Sequence, residues 1–206
     1  SRRHVEIANI RHLLITGIYT LIPFLLVFLQ PDFGSAVIFG CIWFGMIMVS
    51  GLPRKYLILI MVIISFAGGM LWGFVFKPYQ KARIMNFVYP LQDIRGTGYN
   101  AYQSTIAVGS GGLYGKGVGF GTQSRLNFLP EYRTDFIFAA FAEEWGFIGS
   151  LLLLVFFGII LYKLAVFALV ADSTFEALFT YGVIIWIMTH IAINVGMNIG
   201  IMPVTG

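Results

Sequence analysis

Long apolar runs constrain this chain more than any other feature. Residues 13–29, 35–52, 57–76, 146–170 and 175–199 are apolar stretches, the fourth extending back to 136. A helix needs about 20 such residues to cross about 30 Å of hydrocarbon. The chain is 58% hydrophobic and 11% charged, against roughly 45–50% and about 25% in soluble domains. With 20 Phe, 10 Tyr and 4 Trp, a single folded core would leave apolar surface that water does not tolerate. The expected fold class is therefore an all-α membrane protein, a multi-pass transmembrane helix bundle. Its spans run over about 13–29, 35–52, 57–76, 136–170 and 175–199, with one large extracytoplasmic loop over 77–133.

No N-terminal hydrophobic run is followed by a small-residue cleavage site, so nothing reads as a signal peptide. Cys41 is the lone cysteine, which excludes a disulfide framework or a thiol metal cluster built from this chain alone. Nucleic acid is not an expected partner. The net charge of +4 is informative through its placement. Arg2, Arg3, Arg11, Arg54, Lys55 and Lys163 flank spans, and the other basic residues lie in 77–133. Positive-inside counting over the short segments places the N-terminus and the 53–56 and 171–174 turns in the cytoplasm. The 77–133 loop then emerges on the opposite face. The chain starts at Ser1 and stops at Gly206 directly after a span, and is expected to be a segment of a larger membrane protein.

Two segments are unusual. As one helix, 136–170 would be roughly 52 Å long, so it either projects beyond the bilayer or breaks near Gly146 and Gly149. The pair Glu143-Glu144 favours a location at the interface or facing a wet cavity for the start of this block. The 77–133 connection far exceeds the usual length of about 4–6 residues, and its aromatics (Tyr79, Phe87, Tyr89, Tyr99, Tyr102, Tyr114, Phe120, Phe128) argue against disorder. Within it, residues 109–121 read GSGGLYGKGVGFG. A P-loop would need glycine where Ser110 stands and Ser or Thr where Gly117 stands, and the dinucleotide pattern fails at Phe120. Two readings remain open: a tight turn that allows close backbone packing, or backbone amides approaching an anionic ligand.

Several further segments occur in a telling order: Gln30-Pro31-Asp32-Phe33-Gly34-Ser35-Ala36, Tyr79…Arg83-Ile84, Gly98-Tyr99-Asn100-Ala101-Tyr102-Gln103-Ser104, Phe128-Leu129-Pro130-Glu131, Thr134-Asp135-Phe136-Ile137-Phe138 and Glu143-Glu144-Trp145-Gly146-Phe147. Together they resemble the SEDS (shape, elongation, division and sporulation) family along essentially the whole chain. Gly121-Thr122-Gln123-Ser124-Arg125-Leu126-Asn127-Phe128 is more similar to the RodA branch than to FtsW. Family members are about twice this length with ten spans, and this segment would correspond to spans five to nine and the large outer loop. The resemblance implies a peptidoglycan glycosyltransferase of the bacterial cytoplasmic membrane that polymerises lipid II, the undecaprenyl-diphosphate-linked disaccharide pentapeptide, on the outer face during elongation or division. It also implies a partner, a class B penicillin-binding transpeptidase.

The chemistry of that substrate sets what the site must supply. A sugar hydroxyl attacks the anomeric carbon while undecaprenyl diphosphate leaves, so a carboxylate is wanted as base on the hydroxyl. Diphosphate already leaves well. That end calls for charge neutralisation by Lys, Arg or a divalent cation rather than the second carboxylic acid of glycosidases. Asp135 matches the aspartate that the family's TDFIF motif places in the active site. On residue type alone, a helix N-cap by Thr134 or Asp135 is the leading alternative, and the motif match reverses that order. Lys81, Arg83, Lys116, Arg125 and Arg133 are the candidate diphosphate partners; each alone also suits a headgroup-facing cation. Glu143 and Glu144 lie about 12 Å further along a continuous helix, which excludes a close dyad with Asp135 and leaves a supporting, metal or packing role, or a buried hydrogen-bonded acid. Asp32 is expected to cap a helix. Gln103, Ser104 and Glu131 are further supporting candidates. His190 and Asn194 share a helix face and suggest an interhelical hydrogen bond. Two other functions fit the same composition: a lipid-linked sugar flippase, and a non-enzymatic scaffold of the wall-synthesis complex.

Overall fold

A computed structural model describes residues 10–30, 32–89, 98–126, 128–129 and 131–204. The described residues form helices and turns, with no strand among them: α1 (Ile10–Leu29), α2 (Phe33–Val49), α3 (Arg54–Met70), α4 (Pro78–Val88), α5 (Tyr99–Ser110), α6 (Thr122–Arg125), α7 (Ile137–Val170) and α8 (Thr174–Asn198). Local chemistry sets many of these boundaries. The Asp32 carboxylate accepts the Ser35 N–H at 3.0 Å, so its role is the N-cap of α2. Proline opens α4 at a position whose N–H needs no partner, and Gln80 Oε1 accepts the Lys77 N–H at 2.9 Å. At α8, Ser173 Oγ accepts the Glu176 N–H at 3.1 Å and Glu176 Oε2 lies 3.4 Å from the Ser173 N–H, a reciprocal cap. α3 ends in a π-helical turn, Leu71–Val75.

The segments Arg54–Phe74, Ile137–Val170 and Thr174–Asn198 are long and apolar enough to cross a membrane, and Leu13–Leu29 and Gly34–Val49 are shorter apolar helices. Side chains along these helices, such as Ile58, Val62, Phe66, Leu152, Phe156 and Ile159, are exposed in the isolated chain, as a lipid-facing surface requires. The 77–133 connection is not one open loop: α4, α5 and α6 lie within it.

The chain divides into two compact units. The first comprises the residues through Phe76 together with Leu161–His190. Ile47, Leu52 and Ile60 form its buried centre, against which Trp43, Phe44 and Tyr56 pack. An apolar cavity of about 440 Å³ in this unit is lined by residues including Ile42, Met46, Phe175, Phe179 and Trp186; none of its walls carries a titratable group. The second unit comprises Lys77–Ile160 and Ile191–Gly206. Its centre is Ala107, Leu129, Phe136 and Ala139, with Val108, Tyr132 and Val204 packed on it. The polar residues expected to carry chemistry lie in this second unit, apart from Asp32.

Of the two alternatives for the 136–170 block, a projecting helix or a broken one, α7 shows the break, at one glycine. Gly146 has φ 68° and ψ −167°, a conformation only glycine adopts readily, whereas Gly149 stays within the helix. Such a break frees carbonyls on one side and N–H groups on the other. The glycine-rich segment supplies both kinds of partner. Lys116 and Gly117 donate their N–H groups to the carbonyls of Glu143 and Glu144, each at 3.0 Å, while Phe147 and Ile148 donate to the carbonyls of Gly112 and Leu113 at 2.9 and 3.1 Å. The approach is so close that a methyl group on Gly115 would meet the Glu144 carbonyl. Of the two readings of this segment, the tight backbone-packing turn describes the observed structure.

Candidate functional site

The site is built where α7 begins. Residues 131–136 form turns before the helix, with the Thr134 and Phe136 N–H groups donating to the Glu131 carbonyl at 3.2 and 3.1 Å. Thr134 Oγ1 is spent on Glu131 as well, 3.0 Å from Oε2. Neither Thr134 nor Asp135 caps α7 with its side chain. That work falls to Asn198, which is fully buried. Its Oδ1 accepts the Ala139 N–H at 2.9 Å, and its Nδ2 donates to the Asp135 carbonyl at 3.1 Å and to the Asn194 carbonyl at 2.7 Å. Asn194 Nδ2 also donates to the Asp135 carbonyl, at 3.3 Å. Ser104, itself fully buried, holds the other side of Asn198, with Oγ 3.2 Å from the Asn198 carbonyl.

The consequence for Asp135 is specific. Its backbone is fixed by two asparagine donors, while its half-buried carboxylate takes no hydrogen bond or ion pair among the described residues. A positioned carboxylate with unfilled lone pairs can accept a proton from a bound hydroxyl.

Glu143 is the opposite case. It is 0% exposed, and its Oε1 accepts from Lys116 Nζ at 2.7 Å, from the Thr122 N–H at 2.8 Å and from Thr122 Oγ1 at 2.9 Å. The Gln123 N–H lies 3.2 Å from both carboxylate oxygens. This is the buried hydrogen-bonded acid among the roles anticipated for it. Glu144 uses its backbone carbonyl on Gly117, and its side chain is half-buried.

The candidate cations separate in the same way. Arg125 and Arg133 are exposed, and Arg133 lies along Tyr132, its Nε–H 2.9 Å from the phenol oxygen. Lys81 is half-buried on α4 and already engaged in an interaction. The side chain of Arg83 lies outside the described residues. Lys116 is ion-paired to Glu143. Gln103 is half-buried on α5, and Glu131 is exposed. In the first unit, His190 packs edge-on against Trp186 at 5.1 Å; of the pair on that face, it is Asn194 that bonds to another segment. Among the described residues no group of three or more His, Cys, Asp or Glu is placed to hold a metal ion.

Sequence reasoning passed over Asn198, Thr122 and Gln123 as site-builders. The i, i+4 relation of Asn198 to Asn194 was the available signal.

Comparisons with known proteins converge. The family model FTSW_RODA_SPOVE, described as a cell cycle protein, matches residues 1–206. A probable peptidoglycan glycosyltransferase FtsW from Thiomicrospira cyclica is 39% identical over 184 residues, covering 88% of this chain and 47% of that protein. The peptidoglycan glycosyltransferase MrdB of Escherichia coli K12 is likewise 39% identical over 184 residues, covering 89% of this chain and 50% of that protein. A chain solved in work on structural coordination of polymerization and crosslinking by a peptidoglycan synthase complex superposes with a TM-score of 0.76 at 29% identity, covering 97% of this chain and 55% of that one. The chain spans about half the length of the curated relatives it matches.

Proposed function

This chain belongs to the FtsW, RodA and SpoVE family, and on that premise we propose that its parent protein is a peptidoglycan glycosyltransferase that polymerises lipid II, with Asp135 as the base. The observation that carries the assignment is the state of Asp135: its backbone is held by Asn194 and Asn198, and its carboxylate, just before α7, takes no hydrogen bond or ion pair among the described residues. In the reaction, the Asp135 carboxylate accepts the proton of the attacking sugar hydroxyl as the new glycosidic bond forms at the anomeric carbon. The bond to undecaprenyl diphosphate breaks and the electron pair leaves on the phosphate oxygen. Arg125 and Arg133, exposed on the same unit, meet the charge that develops there, with Lys81 and Arg83 on α4 as further contributors. A general base at this position contributes about 10²- to 10⁴-fold.

The substrate reaches such a site from the bilayer, so the 77–133 segment belongs on the outer face of the cytoplasmic membrane, in agreement with the distribution of basic residues. The partner in this reading is a class B penicillin-binding transpeptidase; the peptidoglycan synthase complex that contains the structural neighbour supports a crosslinking companion. Purified full-length protein given lipid II tests the reading. Wild type should make glycan chains and Asp135→Ala should not. Equal polymerisation by both would remove Asp135 as the base, and accumulation of flipped lipid without polymer would favour a transporter.

A further inference from the structure

Lys116 was a candidate substrate cation, but its surroundings give it a different task. Its Nζ lies 2.7 Å from Glu143 Oε1 and 2.9 Å from Thr122 Oγ1, so two of its three donors are used inside the protein. Glu143 is 0% exposed, and a carboxylate removed from water is tolerated only when paired and hydrogen-bonded. Lys116 is its ion-pair partner. The other donors to Glu143 are Ser110 Oγ, at 3.4 Å, and Thr122 and Gln123, the first two residues of α6. A helix of four residues has no stability of its own. Its place depends on what holds it from outside: Glu143 at its first turn, and the buried Leu129, whose N–H donates to the Gln123 carbonyl at 3.1 Å; Arg125 is its last residue.

We infer that Lys116 is the internal counter-ion of Glu143, and that the pair is a latch that positions α6 and thereby Arg125. Both are positioning residues; neither touches the substrate. The inference rests on the reading above, in which Arg125 meets the diphosphate. It makes a prediction with a counterintuitive sign. Removing a negative charge near an anionic substrate should tighten binding on Coulombic grounds alone, whereas loss of the latch misplaces Arg125 and weakens it.

The test uses the full-length protein, with steady-state polymerisation of lipid II by wild type, Glu143→Gln, Lys116→Met and the double variant, and with Glu143→Gln added to Arg125→Ala. The latch predicts that Glu143→Gln raises KM by about tenfold, and that the doubly neutral protein returns to within about threefold of wild type. In the Arg125→Ala background, Glu143→Gln should cost less than about twofold more. A double variant no better than Lys116→Met would assign Lys116 to the substrate and overturn the inference. So would a KM that falls or stays constant in Glu143→Gln, or additive losses with Arg125→Ala. If wild type makes no polymer, the glycosyltransferase reading fails while the pair is still judged by thermal unfolding of the four proteins. A melting loss in the double variant smaller than the sum of the singles supports the latch, and additive losses overturn it.

Discussion

Asp135 and Glu143 stand close together in sequence, in the same unit, and have opposite surroundings. Around Glu143 the chain spends a lysine, a threonine and a serine hydroxyl, and two backbone N–H groups on one carboxylate. Around Asp135 it spends two asparagine amides on the backbone carbonyl and, among the described residues, none on the carboxylate. The difference teaches how to separate architecture from chemistry among acids in a membrane protein. An acid whose lone pairs are filled by the protein holds the fold. An acid whose backbone is pinned while its side chain is left unfilled is available to a substrate. By this measure the α7 break region is a joint, and the turn before α7 is the part we propose to be reactive.

Substitutions that strike one region and spare the other sharpen the contrast. The largest loss of stability is expected from Gly115→Ala. The residue sits at φ +79° and its new methyl would meet the Glu144 carbonyl, so strain and overlap add to about 3 kcal/mol or more. The melting temperature in detergent should fall sharply, with Asp135 untouched. Asn198→Ala comes next. It removes the acceptor of the Ala139 N–H and one donor to Asp135, at a cost of about 1–2 kcal/mol; because Asp135 is then held by Asn194 alone, polymerisation should fall more than melting does. Asp32→Ala is the smallest. It deletes one exposed cap, costs about 1 kcal/mol, and should leave the rate constant of polymerisation unchanged. A large rate loss in Asp32→Ala with normal melting would mean that the reactive region extends into the first unit.

The apolar runs made the helices legible because membrane-length helices announce themselves by composition, and the break in α7 was foreshadowed by Gly146. The cap at Asp32 was legible because an N-cap bonds to an N–H only three residues on. The 109–121 glycines pointed to close packing, but not to what they pack against, since the carbonyls of Glu143 and Glu144 become available only after α7 breaks. The same limit hid the partner of Lys116 and the role of Asn198. Both depend on groups that are distant in the chain, and local spacing carries no information about such pairings. Residue type alone left Asp135 open between cap and base; the cap reading falls away because Asn198, from the far end of α8, performs the capping.

The most direct test of the central claim is to measure melting temperature and lipid II polymerisation on the same preparation of full-length Asp135→Asn. Because the carboxylate takes no hydrogen bond or ion pair among the described residues, melting should stay within the equivalent of about 0.5 kcal/mol of wild type, while polymerisation falls by about 10²- to 10⁴-fold. Polymerisation at the wild-type rate, or a rate loss matched by a collapse in melting temperature, would contradict the assignment of Asp135 as the base.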